Sequence, residues 1–296
     1  MNKIKLYLDS LLLLLISFYL SLSLKNKIVH DFTRKVLFNL TKNRFKKKYP
    51  QLSAKKITNK DHYAPTNLKN GFFSRIKSTS GSSGKPFRFL RSKFETKIEQ
   101  ALTLRCLFEN GYRPWMKLAW LRSYVPKDNE PKIKFFGNKN DYMLSAYHLT
   151  KSTMNEYKNF FIHKKIKFII SYPSSLFLFA EYLNERNIAL SCVKAILVSS
   201  EICYENWIKE IKKAFPNANL VNQYSAVEFN TMLTSCDICN GFHINSDCFD
   251  THFFEFDKSF KKIIGTGFFN YLTPMKNYDS EDLFHYEGTV KSKCVR

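Results

Sequence analysis

Residues 167–183 read KFIISYPSSLFLFAEYL. An unbroken apolar run, Phe168 to Ile170, stops at Ser171-Tyr172-Pro173, and apolar residues then resume at helical spacing. A short apolar run bounded by turn residues predicts a buried strand, and Ser174 is expected to cap a helix reaching about Asn187. The same alternation repeats on both sides. KLAWLRS (117–123), AILVSSE (195–201) and LVNQYS (220–225) read as buried strands. Helices are predicted over 92–110 and 204–215, with Asn110-Gly111 stopping the first. Thr153-Met-Asn-Glu156 fits a capping box opening a further helix through His163. Strands alternating with helices at this spacing predict an α/β fold built on a mostly parallel sheet. After residue 242 the pattern changes. HINSDCFDTHFFEFD and KKIIGTGFFN read as longer antiparallel strands, a smaller β part.

The chain has 296 residues, 44% hydrophobic and 16% aromatic, which is ample for a core and excludes global disorder. Its formal charge is +22, but the 47 Lys and Arg are spread along the chain. The densest run, Arg44-Phe45-Lys46-Lys47-Lys48, is too short to argue for nucleic acid, and no nucleic-acid-binding motif is present. Seven cysteines at irregular spacing favour a reducing, cytoplasmic compartment. The N-terminus carries SLLLLLISFYLSLSL (10–24). Extended back to Leu6 it approaches membrane-spanning length, with Asp9 inside it and no small-residue cleavage site. Residues 6–24 therefore read either as an anchor or interfacial helix at the inner face of a membrane, or as a helix docked on the protein. Residues 28–62 look helical and basic.

Ligands of open α/β sheets bind beyond the carboxyl ends of the strands. Three polar stretches fall there: Ser171 to Ser175, Ser199-Ser200-Glu201, and Gln223-Tyr224 through Glu228. Each alone is ordinary turn and cap chemistry. A fourth stretch changes the balance. Residues 77–88, KSTSGSSGKPFR, insert small polar residues between two strand-like runs. Glycine and serine let backbone N–H groups converge on an anion, and Lys85 adds charge. It is not a Walker A loop, because Thr79 stands where the first glycine belongs and Pro86 follows the lysine. The flanking runs instead predict a hairpin whose loop wraps phosphate. Separately, Cys236, Cys239 and His243 form a C-x₂-C-x₃-H half-motif that suits a structural Zn²⁺, with Cys248 as a fourth ligand, or is a coincidence of a Cys-bearing loop. His148 reads as structural.

STSGSSGKP resembles the phosphate loop of the adenylate-forming (AMP-binding) enzymes. The wider pattern is most similar to the phenylacetate–CoA ligase branch, including CapK-like proteins linked to capsular polysaccharide biosynthesis. SAYHLT (145–150), SYPSSLFLFAEYL (171–183), AILVSSE (195–201), NQYSAVEF (222–229), CDICNGFHIN (236–245) and NYDSEDL (277–283) follow in the family's order, so the resemblance covers residues 70–283. It implies that Thr79, Ser80, Gly81, Ser82, Ser83, Gly84 and Lys85 hold the β- and γ-phosphates of ATP. Ser199, Ser200 and Glu201 would line the adenine pocket, with Gln223 beside Tyr224, which stacks on the base. Glu228 would hold Mg²⁺, and Asp282 would bind the ribose. Tyr172, Pro173 and Ser174 would border the pocket for a small carboxylic acid. The implied chemistry is attack of that carboxylate on the α-phosphate, giving an acyl-adenylate and pyrophosphate, with CoA as a later acceptor.

The sequence departs from the family's pattern in places. Ser225 follows Tyr224 where glycine is usual, and Val227 precedes Glu228 where a hydroxyl residue is common. Asn277 and Glu281 replace an arginine and a glycine in the last block. Family members also carry a mobile C-terminal domain with a catalytic lysine, whereas Arg296 lies near the expected hinge, so no catalytic residue is assigned. The expected organisation is a helical region 1–62, an AMP-binding core 63–241 and a β-rich end 242–296, with a separate lysine domain or a homodimer as partners. The alternative reading is a truncated, inactive remnant or scaffold.

Overall fold

The computed structural model describes residues 39–49, 57–63, 68–69, 71–79, 86–136, 140–236 and 241–285. In chain order they form β1 (Ser74–Ser78), β2 (Arg88–Ser92), α1 (Lys93–Glu109), β3 (Leu118–Arg122), β4 (Ile133–Phe136) and β5 (Asp141–Ser145). There follow α2 (Lys151–Lys164), β6 (Phe168–Ser171), α3 (Pro173–Asn184), β7 (Ala195–Ser199), α4 (Glu205–Ala214) and β8 (Asn219–Ser225). The chain continues with β9 (Met232–Cys236), β10 (Gly241–Ile244), β11 (Phe249–Glu255), β12 (Phe260–Gly267) and β13 (Tyr278–His285). Two compact units result, one of residues 104–224 and one of residues 1–103 with 225–296.

In the 104–224 unit the strand order is β8-β7-β6-β3-β5-β4. All neighbours are parallel except the edge strand β4, which runs antiparallel to β5. Alternation along the strands explains the layers. Ala119, Leu121, Ile169, Ile196 and Val198 face one way and pack with Tyr157 and Phe161 of α2, Phe179 and Leu183 of α3, and Ile211 of α4. Leu118, Phe168, Ile170, Ala195, Leu197 and Val221 face the other way, onto Cys106, Leu107 and Phe108 of α1 and onto Tyr112. Both faces are therefore covered, which is why these strands read as unbroken apolar runs. This is the α/β architecture expected from the sequence. The chain leaves β3 for β5 and returns past β3 to β6, so the order reverses around β3.

Helix starts differ from expectation. Thr150, not Thr153, is the N-cap of α2: its Oγ1 accepts from Thr153 N–H, because the helix begins at Lys151. Ser174 lies inside α3, whose N-cap Tyr172 makes no side-chain cap bond and whose first residue is Pro173. The unread capping box is Ser92-Lys-Phe-Glu95. Ser92 Oγ accepts from Glu95 N–H, and Glu95 Oε2 accepts from Ser92 N–H, both at 3.0 Å. Gly111, with φ of 87°, ends α1 as read.

In the other unit, β1 and β2 pair antiparallel from Ser74↔Ser92 to Ser78↔Arg88, so the flanking runs do form a hairpin. β11, β12 and β13 form an antiparallel sheet, and β9 and β10 a second hairpin. Helical residues 39–48 set Phe45 against Phe268 and pair Lys42 with Asp250 at 2.6 Å. Among the described residues no helix is long and apolar enough to cross a membrane, and residues 6–24 lie outside them.

Candidate functional site

The 104–224 unit gathers polar groups at the carboxyl ends of its parallel strands. The register aligns Ser145 with Arg122, Leu121 with Ser171, Ser171 with Val198, and Ser199 with Gln223. One row at the sheet's edge thus carries Ser145, Arg122, Ser199 and Gln223. Tyr172 stands one residue beyond the end of β6. Arg122 reaches across β6: its guanidinium lies 4.7 Å from the centroid of the Tyr172 ring. Its Nη2 donates to Ser200 Oγ at 2.7 Å and to Ser199 Oγ at 2.9 Å. Beneath it, Ser171 Oγ donates to the carbonyls of Leu121 and Tyr172, at 3.2 and 2.9 Å.

Ser200 has a φ of 76°, the left-handed region that a residue with a Cβ seldom adopts. This sharp turn aims Glu201 at α3, and Glu201 Oε2 accepts from Ser174 N–H at 3.0 Å. A carboxylate from the β7 turn therefore serves the end of α3 that Tyr172 leaves uncapped, in the place where its charge suits the helix dipole. Tyr172, Ser174, Ser199, Ser200 and Glu201 are brought together, and Pro173 is buried at the head of α3. Gln223 is buried on β8, and Tyr224 beside it is half-buried.

The other unit positions Glu228 in a buried turn. Tyr278 Oη donates to Glu228 Oε1 at 3.1 Å, and Asn270 donates to the Glu228 carbonyl at 2.8 Å. Burial pushes the Glu228 carboxyl above its usual range, and nearby Asp282 adds to that, while the hydrogen bonds and Arg91 oppose it. Burial, and then the adjacent carboxylate, likewise raise the Tyr278 hydroxyl. The next residue, Phe229, has a φ of 55°, fixed by its ring packing edge-on against Phe249 and beneath the Arg91 guanidinium. Asp282 is exposed, in a bulge of β13 where the register jumps from Ile264↔Asp279 to Lys262↔Leu283.

Glu281, in the same bulge, has a φ of 68°, and Asn277 has a φ of 47°. The left-handed backbone at 281 is a physical reason for a glycine there. Its charge is met by Lys60 Nζ at 3.4 Å. Glu281→Gly is expected to change stability by less than about 1 kcal/mol, because relief of left-handed strain offsets glycine's entropy and the lost exposed ion pair. Glu281→Val, β-branched at positive φ, is expected to lose about 1–2 kcal/mol. Urea unfolding of the two variants checks both values.

Thr79 closes the β1–β2 hairpin. Its N–H donates to the Phe87 carbonyl and its Oγ1 accepts from Phe87 N–H, both at 3.0 Å. Ser80, Gly81, Ser82, Ser83, Gly84 and Lys85 lie outside the described residues, as does Cys239. Cys236 and His243 share a face of the β9–β10 hairpin, through the pairs Cys236↔Gly241 and Thr234↔His243. Among the described residues no group of three or more His, Cys, Asp or Glu side chains could hold a metal, so a zinc site has no support there. His148 bonds Ser145 Oγ through Nδ1 at 2.7 Å, a local structural contact. Arg122 is the residue that sequence reading missed. Its signal was a cation closing the otherwise apolar strand LAWLR (118–122).

No protein-family model matches the sequence, and no curated protein matches it. Solved structures do. An open conformation of 2-hydroxyisobutyryl-CoA ligase in complex with 2-HIB-AMP and CoA aligns with a TM-score of 0.57 and 14% identity, over 77% of this chain and 58% of that one. The same ligase in the postadenylation state, in complex with R3-HIB-AMP, aligns with a TM-score of 0.56 and 13% identity, over 77% of this chain and 52% of that one. The fold is that of the large N-terminal domain of adenylate-forming enzymes. This chain spans little more than half the length of the ligases it matches.

Proposed function

We propose that the protein is an adenylate-forming ligase of the phenylacetate–CoA ligase and CapK-like type, which binds ATP-Mg²⁺ and a small carboxylic acid. The observation that carries this reading is the rim at the carboxyl ends of β3, β6 and β7. There Arg122, Tyr172, Ser199, Ser200 and Glu201 are interlocked next to the point of strand-order reversal, the place where open α/β sheets take ligands. The matched ligase carries an acyl-AMP on the same fold. In this reading the Ser200–Glu201 turn borders the base, Tyr224 stacks on it, and the Thr79–Lys85 loop holds the phosphates. Asp282 takes the ribose, and Tyr172 to Ser174 border the acid. CoA is the acceptor, and surface polysaccharide modification is the biological setting.

Glu228 suits Mg²⁺, which asks for one or two carboxylates and completes its shell with water and substrate phosphates. Tyr278 holds one carboxylate oxygen and so fixes the orientation of the group. An ion held by Glu228 would supply charge neutralisation for the phosphates. The chain's own contribution is positional: the rim of the 104–224 unit borders the base and the acid.

ATP–pyrophosphate exchange across a panel of carboxylic acids, with and without a separately expressed lysine domain, tests the proposal. Glu228→Gln should lower exchange about a hundredfold while keeping the fold, since Gln still accepts from Tyr278. An absence of exchange together with an absence of ATP binding by calorimetry would overturn the enzyme reading.

A further inference from the structure

We infer that Arg122 is a positioning residue for the nucleotide side of the site, and that it acts by locking the turn after β7. The inference rests on the function proposed above for Ser200 and Glu201. β3 and β7 are not neighbours: β6 lies between them. The Arg122 side chain crosses that gap over the face of Tyr172 and ends on both serine hydroxyls, with a third, longer approach to the Ser199 carbonyl at 3.4 Å. One guanidinium therefore ties three strand ends.

The turn it holds needs holding. Ser200 sits in left-handed backbone with no glycine to ease it, and such a conformation persists only where surrounding contacts over-determine it. Ser200 is exposed, so burial of its side chain does not supply those contacts. The Arg122 hydrogen bond at 2.7 Å does. The turn in turn delivers Glu201 to Ser174 N–H. Without the clamp the turn relaxes, Glu201 leaves the start of α3, and the wall offered to the base is lost together with the end of α3 that borders the acid. Lysine would keep the charge but could not bond two hydroxyls in a plane while stacking on the ring.

Hydrogen exchange on the full chain tests this, paired with ATP affinity by calorimetry. In Arg122→Ala the amide of Ser174, whose N–H is held by Glu201, should exchange about tenfold faster or more, with the β-strand amides unchanged. The KM for ATP in the exchange assay should rise about tenfold with kcat changed far less, and Arg122→Lys should recover part of both effects. Wild-type protection at the Ser174 amide in Arg122→Ala would overturn the inference, and so would a uniform rise across the unit with KM unchanged. Should Arg122→Ala fail to fold, Ser200→Ala removes one of the guanidinium's two hydroxyl acceptors and should raise exchange at the Ser174 amide by a smaller factor. Unchanged protection there would overturn it equally. Failure of the wild type to bind ATP overturns the nucleotide reading, and the exchange result then decides the clamp by itself.

Discussion

Arg91→Ala is expected to destabilise the protein by about 3–5 kcal/mol, the range for removing one partner from a buried ion pair. Arg91 is 2% exposed and Glu95 is 1% exposed. The guanidinium lies 3.6 Å from the Glu95 carboxylate and 3.1 Å from that of Glu99. It also donates to the Val227 carbonyl at 3.3 Å and covers the Phe229 ring at 4.8 Å. One side chain thus joins the end of β2 and the first turns of α1 to the turn bearing Glu228. Glu95 cannot turn to water in exchange, because its carboxylate already closes the capping box on Ser92. Replacement of Arg91 by alanine therefore strands a buried carboxylate and unties the Glu228 turn at once.

The loss should depend on pH. Burial raises the Glu95 pKa from 4.5 to about 7, against the lowering by Ser92 and Arg91. The folded state therefore holds the proton more tightly than the unfolded chain. The associated stability is complete below about pH 4.5 and is lost as pH rises through 7. Without Arg91 the folded-state value climbs further, and the fall continues above pH 7. The deficit of Arg91→Ala should accordingly be larger at pH 8 than at pH 5, measured by denaturant unfolding at both. An equal deficit at the two values would show that Glu95 is not the group left stranded.

Gly267→Ala is the second large effect, expected at about 3 kcal/mol, the upper end of the usual range for overpacking. A Cβ at 267 would stand 2.1 Å from the Phe229 carbonyl oxygen. The obstruction is backbone, so no rotamer change relieves it. Gly265, two residues earlier on the same face of β12, is as tight, 2.4 Å from the Asn230 carbonyl oxygen. Both glycines let β12 lie flat on the segment after Glu228, whose left-handed Phe229 leaves little room to move. Thr266 between them accepts from Asn277 N–H at 2.9 Å. Thr266→Ser keeps that bond and should stay close to wild type, which separates the steric effect from general sensitivity of the strand. Thermal unfolding of the two variants side by side checks the pair, and a wild-type melting temperature for Gly267→Ala would refute the close approach.

These positions show why parts of the molecule were legible in the chain and others were not. KFIISYP, AILVSSE and LVNQYS announced buried strands because a strand covered on both faces is apolar at every position, and that signal is local. Thr79 and Phe87 closed a hairpin foreseen from the two runs around a small polar loop. Helix starts were read less well, at Thr153 and Ser174. Several Ser and Thr compete there within one turn, and the winner is chosen by where the strand before it ends. For α3 the deciding group was Glu201, on another turn altogether. GTG in β12 read only as strand, since nothing in a sequence says that a second backbone will lie within contact distance.

Antiparallel pairing begins with β9 (Met232–Cys236), before the boundary at 242 that the sequence suggests; the alternation of buried strands and helices and the polar stretches at the strand ends are legible in the chain alone. Those features depend on periods of two and 3.6 residues and on turn chemistry, which are properties of neighbouring residues. That Arg122 spans β6 to hold Ser199 and Ser200, that Glu201 serves the start of α3, and that Arg91 is buried among Glu95, Glu99 and Phe229 emerges from the folded chain. Each of these rests on strand order and register, which bring together groups up to about 140 positions apart in the chain, and no local period encodes them.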